Sequence, residues 1–263
     1  MLALELVGYF AAVLIGITLG LLGGGGSILT IPLLVYLFHL DPVPATAYSL
    51  FLVGTTSLAA FASSQKRNLV NYRAGILFGL PAMLAIFVTR HWIVHALPEQ
   101  FITLGDFTLS KRLFLLGLFA MMMIVTSYSM IRGRDDAEAS EPHLSLISMV
   151  ALGAAIGVLT GLVGAGGGFL IIPALIFLAG LSMKAATATS LFVVGTNSLI
   201  GFIGDVFNME IDWRFLITLT VLAVVGIAIG NWLSARIKGQ HLRKAFGWVT
   251  LVMGFWILIK ELT

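Results

Sequence analysis

Two stretches of this chain could hold an anion without any charged side chain. They are Gly20-Leu-Leu-Gly-Gly-Gly-Gly-Ser-Ile-Leu-Thr-Ile-Pro32 and Gly161-Leu-Val-Gly-Ala-Gly-Gly-Gly-Phe-Leu-Ile-Ile-Pro173. Successive glycines cost roughly 1 kcal/mol each in a helix relative to alanine, so a helix stops there. Bare backbone N–H groups at such a turn, with the N-terminus of the helix that follows, present about half a positive charge. Gly24, Gly25, Gly26 and Ser27 in the first stretch, and Gly166, Gly167 and Gly168 in the second, are therefore expected to contact an anionic substrate. A nucleotide-phosphate loop is excluded, because no Gly-Lys-Ser or Gly-Lys-Thr ending follows. Helix packing explains Gly16, Gly20, Gly157 and Gly161, spaced as small-xxx-small faces. It does not explain three or four glycines in a row.

A second matched block follows each glycine run. Ala45-Thr-Ala-Tyr-Ser-Leu-Phe-Leu-Val-Gly-Thr-Thr-Ser57 corresponds to Ala186-Thr-Ala-Thr-Ser-Leu-Phe-Val-Val-Gly-Thr-Asn-Ser198. It supplies Thr46, Ser49 and Ser57 in one copy and Thr187, Ser190 and Ser198 in the other. Ser57 and Ser198 lie eight residues beyond Ser49 and Ser190, roughly on the same helical face, and Asn197 adds an amide donor. Single Ser and Thr residues in membrane helices often bond their own backbone, so the matched set carries more weight than any member. Neutral donors can bind an anion where a fixed Lys or Arg inside a bilayer is costly.

Asp205 stands where the first copy has Ser64. It is the candidate for proton coupling if it points inward, and otherwise an ordinary acidic residue at the outer surface. His91 and His95 have the i, i+4 spacing of metal ligands but no third ligand nearby, so no metal is expected, and no other cofactor. No cluster of His, Asp, Glu or Cys lies inside the apolar runs, which argues against an enzyme.

The elements that must position these residues come in two copies. The offset of 141 residues persists without a gap from Gly20 to Arg73, and roughly two residues in five are identical. This is an internal duplication. Hydrophobic residues make up 59% of the 263 and charged residues 10%, well below the charge of a soluble fold. Runs of about 20 apolar residues are long enough to cross a hydrocarbon core as helices. The chain is expected to be an all-α polytopic membrane protein.

The net charge of +3 is spread singly or in small groups between apolar segments, as topology anchors rather than a nucleic-acid surface. There are no cysteines. Glu5 and the lack of a basic residue ahead of the first run argue against a cleaved signal peptide.

In order, the spacing predicts a helix from residue 2 to the glycine break, a return segment from Ile28 to Leu40 capped by Ser27, and helices over Pro44–Gln65, Arg73–Arg90 and Arg112–Ile131. His91 to Lys111 is a mixed-charge connection. Residues 132–143 are a polar linker between a first repeat, 1–131, and a second, 144–263. The second repeat reads as Leu144–Leu162, Phe169–Leu181, Lys184–Gly204, Trp213–Ala235 and Leu242–Ile259. Each glycine run breaks a helix pair at depth, where irregular backbone survives only against protein or a water-filled cavity.

Matched loops carry opposite charge: Lys66, Arg67 and Arg73 in one, Asp205, Glu210 and Asp212 with only Arg214 in the other. The positive-inside rule then puts the first in the cytoplasm and the second outside, which makes the halves inverted repeats with both termini outside. The two glycine breaks would meet near the midplane, where such transporters hold substrate.

The paired glycine stretches ending in Ile-Pro, each followed by Ala-Thr-x-x-Ser-Leu-Phe-x-Val-Gly-Thr, resemble the TauE/SafE (TSUP) family of sulfite and organosulfonate exporters over effectively the whole chain. The resemblance implies export of a small sulfur-containing anion such as sulfite, sulfoacetate or another organosulfonate across a bacterial or archaeal plasma membrane. An anion channel of the same architecture is the alternative. With Glu5, Asp41, Asp205, Glu210 and Asp212 all near segment ends, membrane potential alone could drive export, at about 2.3 kcal/mol per charge per 100 mV, with or without a proton. The oligomeric state is open, a homodimer included.

Overall fold

A computed structural model describes residues 2–22, 27–65, 69–104, 107–132, 146–234 and 239–262. Gly24, Gly25 and Gly26 lie outside the described residues, as does most of the expected linker.

The all-helical expectation holds. Helix α1 (Leu2–Leu22) is followed by α2 (Thr30–Pro32), which winds directly into a π-helical segment, Leu33–Leu37. The residue before α2 is Leu29, which makes no side-chain cap; Ser27, expected there, instead lies buried at the start of a 3₁₀ turn over residues 27–29. Helix α3 (Pro42–Gln65) opens on a proline, whose fixed φ suits a first turn.

Helix α4 (Tyr72–Val88) is capped by Asn71, whose side chain accepts from the Ala74 N–H. It runs on through a π-helical segment, Thr89–Val94, rather than stopping at Arg90. Trp92, Ile93 and Val94 keep the run apolar beyond the arginine.

A short antiparallel hairpin, β1 (Gln100–Leu104) and β2 (Phe107–Ser110), then lies within the stretch read as a mixed-charge connection. Helices α5 (Lys111–Arg132), α6 (Leu146–Val163) and α7 (Gly168–Ala179) follow. α7 ends on Gly180, whose left-handed φ of 62° makes it a typical helix stop. Helices α8 (Met183–Val206), α9 (Trp213–Ser234) and α10 (Gly239–Leu262) complete the chain.

Among the described residues, α4 with its extension and α3, α5, α6, α8 and α9 are six helices long and apolar enough to cross a membrane. Their outer surface carries Leu84, Val125, Ile147 and Val221, all well exposed, as a lipid-facing surface must.

The helices of the two halves interlock. α1 packs on α9 through Gly16 and Gly20 against Ala223, Gly226 and Gly230, so close that a Cβ on Gly16 would collide with the Ala223 carbonyl. α6 packs on α4 in the same manner, Gly157 and Gly161 lying against Ala82, Ala85, Ile86 and Thr89. The expected small-residue faces are thus the contacts that tie one half to the other.

At the centre α3 packs on α8. Gly54 faces Leu199, and a Cβ on Gly54 would stand 2.8 Å from the Leu199 Cγ. Gly195 faces Leu58 at the same 2.8 Å. These are matching residues of the duplication, 141 apart, making reciprocal contacts. Position 54 meets 199 while 58 meets 195, so α3 and α8 run antiparallel. α5 and α10 are also antiparallel, with Gly254 against Ala120 and Met123, and Gly247 against Met130 and Ile131. Gly8 near the start of α1 faces Phe38, and Glu261 at the end of α10 accepts from Tyr36. Both ends of the described chain therefore lie on one face.

Candidate functional site

The second glycine break is a buried turn between α6 and α7. Gly164, Gly166 and Gly167 have φ of 72°, 68° and 70°, a left-handed conformation that side chains with a Cβ rarely adopt. The turn is pressed into the seam between α3 and α8. A Cβ on Gly164 would strike Thr46; one on Gly166 would stand 2.6 Å from Val53 Cγ1 and 2.8 Å from Ser198 Oγ. The Gly164 N–H donates to Thr160 O at 2.8 Å. Among the described residues, the N–H groups of Ala165, Gly166 and Gly167 have no backbone acceptor. Gly168 opens α7 with no side-chain cap at its N-terminus. Gly166, Gly167 and Gly168 thus lie buried in one turn, with Gly166 beside Ser198 and Gly164 beside Thr46.

Around this turn the hydroxyl-rich helices bury their polar atoms. Thr46, Ser49, Ser57, Ser190, Asn197 and Ser198 are all at most 1% exposed. Among the described residues, the hydroxyls of Ser49, Ser57 and Ser198 and both amide atoms of Asn197 find no hydrogen-bond partner. A buried polar group left without a partner is costly, and each such group calls for a ligand or water to complete it. The other expected residues divide differently. Ser190 donates to the Thr187 carbonyl at 2.8 Å, within α8, and Thr187 is partly buried and has its own interactions.

Asp205 does not lie at the outer surface. Helix α8 runs past the expected end at Gly204 to Val206, and Asp205 in its last turn is fully buried against the extension of α4. Gly204 permits that approach, since a Cβ there would meet Arg90 Cβ at 3.1 Å and His91 N at 3.2 Å. Arg90, also fully buried, donates from Nε to Asp205 Oδ2 at 2.7 Å, with Nη2 2.6 Å from the same oxygen. Its Nη1 donates to Thr46 Oγ1 at 3.0 Å and to the Gly161 carbonyl at 3.3 Å. Thr46 in turn donates to Val43 O. Four helices, α3, α4, α6 and α8, are joined at one guanidinium.

Comparison with known proteins decides the family. The family described as sulfite exporter TauE/SafE matches residues 9–257 of this chain. The chain belongs to the TauE/SafE family. Similar proteins include a "Probable membrane transporter protein" of Xylella fastidiosa, 31% identical, with 94% of this chain and 92% of that protein covered. Another is the "Probable membrane transporter protein MJ0441" of Methanocaldococcus jannaschii, 25% identical, with 94% of each covered. YunE of Bacillus subtilis, with the same description, is 24% identical over 89% and 90%. No solved structure matches. The protein is a multi-pass membrane transporter.

Arg90, which donates to Thr46 beside the glycine turn, is the buried charge that sequence reasoning missed. Where neutral donors alone were expected, the fold buries a cation as well, made tolerable by the carboxylate across from it. Two signals could have found it: Arg90 sits inside an apolar run that continues to Val94, and Asp205 breaks the duplication with an unpaired acid. The π-helical winding at Thr89–Val94 is a further mark, since such segments are rare and gather at functional sites.

The face that carries this pair is open to solvent nearby. A cavity of about 400 Å³ is lined by Asp41, Val43, Pro44, Glu99, Lys111 and Arg112, and its wall includes Val43, the acceptor of the Thr46 hydroxyl. Lys111 pairs with Glu99 at 3.5 Å and Arg112 with Glu261 at 2.9 Å.

Proposed function

We propose that this protein is a secondary carrier that exports a small sulfur-containing anion: sulfite, sulfoacetate or another organosulfonate. The observation that carries the reading is the junction of the glycine turn at residues 164–167 with buried, partnerless donors. Ser198 Oγ lies beside Gly166, and Asn197, Ser49 and Ser57 share the α3–α8 pair. Backbone N–H groups, the N-terminus of α7 and neutral hydroxyls and amides suit an oxyanion. By the duplication, the matching positions Gly24, Gly25, Gly26 and Ser27 are assigned the same role in the first half. Sulfite follows the family description, and the organosulfonates carry the same oxyanion head.

The halves act as inverted repeats. The antiparallel, reciprocal packing of α3 on α8 supports this, because a two-fold relation perpendicular to the helices requires both features. Both ends of the chain lying on one face agrees with it. The loop at residues 66–73 is then cytoplasmic and the loop at 207–212 outside, each charged as the positive-inside rule requires.

Purified protein in liposomes should carry sulfite or sulfoacetate down an imposed gradient with saturation, and should show counterflow of labelled substrate. Saturable flux without counterflow would make it a channel. No flux of either anion at any imposed potential or pH gradient would remove the substrate class.

A further inference from the structure

We propose that Arg90 is the cationic anchor of the exported oxyanion, and that Asp205 is the built-in anion that occupies it when substrate is absent. Substrate and Asp205 exchange on one guanidinium, and the displaced carboxylate is held by a proton shared with His95. This rests on the reading of the protein as an oxyanion carrier.

The position of Arg90 supports the first part. Its Nη1 already reaches Thr46 Oγ1, and Thr46 is the residue against which Gly164 of the glycine turn packs. The guanidinium therefore adjoins the turn, with planar donors that match a sulfonate or sulfite face better than any neutral group does. Both Nε and Nη2 converge on a single carboxylate oxygen, Oδ2. The other, Oδ1, is buried and accepts no hydrogen bond among the described residues.

His95 supports the second. Its Nδ1 lies 2.8 Å from the Arg90 carbonyl, which can only accept, so Nδ1 carries the hydrogen. In the neutral ring Nε2 is then a bare acceptor. It is buried, has no hydrogen-bond partner among the described residues, and lies 3.9 Å from Asp205 Oδ1, which is itself acceptor-only while ionised. Two acceptors facing each other become a donor–acceptor pair when one proton enters between them. That is a proton site built into the end of α4 and the end of α8.

Among the described residues, the ionisable side chains in contact with Asp205 are Arg90 and His95, with His91 one turn away against the Gly204 carbonyl. α3 and α6 contribute the Thr46 hydroxyl and the Gly161 carbonyl to Arg90, neither of which titrates. With Asp205 ionised, Arg90 is held. With the proton in place Asp205 no longer competes, and an external oxyanion takes the guanidinium. Occupancy of the proton site and of the anion site therefore rise together, as linkage demands.

The test is binding of sulfoacetate, isethionate and sulfite to the purified protein across pH. Proton uptake is followed by an indicator dye in light buffer for the first two, which do not titrate near neutral pH. In the parent, sulfoacetate should bind more tightly as pH falls, with about one proton taken up per anion bound at the high-pH end. Asp205→Asn keeps the shape and leaves Arg90 uncompensated. It should bind at least ten-fold more tightly at high pH, with no proton uptake and no pH dependence. The double variant Arg90→Gln/Asp205→Asn should lose that gain. His95→Phe should move the parent's pH midpoint downward, because the shared proton loses one of its two acceptors. pH-independent binding by the parent without proton uptake would overturn the exchange without any variant being needed, as would undiminished uptake in Asp205→Asn. In either case anion binding by the parent would leave the proposed function standing. Binding of none of the three anions by the parent would overturn the substrate class and the exchange together.

Discussion

Arg90 and Asp205, 115 residues apart in the chain, meet inside the protein with the guanidinium Nη2 2.6 Å from the carboxylate Oδ2 and both side chains fully buried. Each is contributed by a different half of the duplication. A cation buried in a membrane helix is tolerated because its partner arrives from the other half, so the pair reports that the halves have docked correctly.

Removing one member alone should be far worse than removing both. Arg90→Met or Asp205→Leu each leaves an uncompensated buried charge, at an expected cost of about 3–5 kcal/mol. The double variant should recover most of that stability and still fail to transport. Thermal unfolding in detergent checks it; additive losses in the double variant would mean that the pair is not a closed unit.

Gly166 has no room for a side chain and a φ of 68° that disfavours one. The left-handed backbone alone costs roughly 1–2 kcal/mol with a Cβ. Gly166→Val should abolish flux while the protein still inserts and elutes as a single species, and Gly25→Val should do the same in the first half. Full flux in a well-folded Gly166→Val variant would sink the assignment of the turn to the site.

The seam between α3 and α8 can be tested by compensation. A methyl on Gly54 would press on Leu199, so Gly54→Ala should destabilise by about 1–3 kcal/mol, and Leu199→Ala in the same chain should relieve part of it. The matching pair, Gly195→Ala with Leu58→Ala, should behave alike. A double-mutant cycle that shows no coupling in either pair would contradict the packing.

With no native cysteine, topology is open to single-cysteine labelling. Asn68→Cys should react only with reagent on the cytoplasmic side and Glu210→Cys only from outside. Labelling of both from the same side would rule out the inverted arrangement.

Much was legible in the sequence because it depends on local composition and repetition. Apolar runs of spanning length, punctuated by glycine runs and single charges, determined a multi-pass helical protein. The matched blocks beginning at Gly20 and Gly161 determined a duplication and pointed to Gly166, Gly167, Gly168 and Ser198, which the fold brings together. What sequence could not decide was which polar groups remain available. Ser190 and Ser49 look alike along the chain, yet Ser190 is bonded to the carbonyl of Thr187 and the Ser49 hydroxyl has no partner among the described residues. Nor could distance from a helix end tell burial. Asp205 lies at the last turn of α8 and Arg90 near the end of α4, where charges usually reach water, but the interlocking of the two halves covers both. Only the tertiary structure decided that pairing, because the energy of a buried charge depends on what stands within a few ångströms of it, and those neighbours come from the opposite half of the chain.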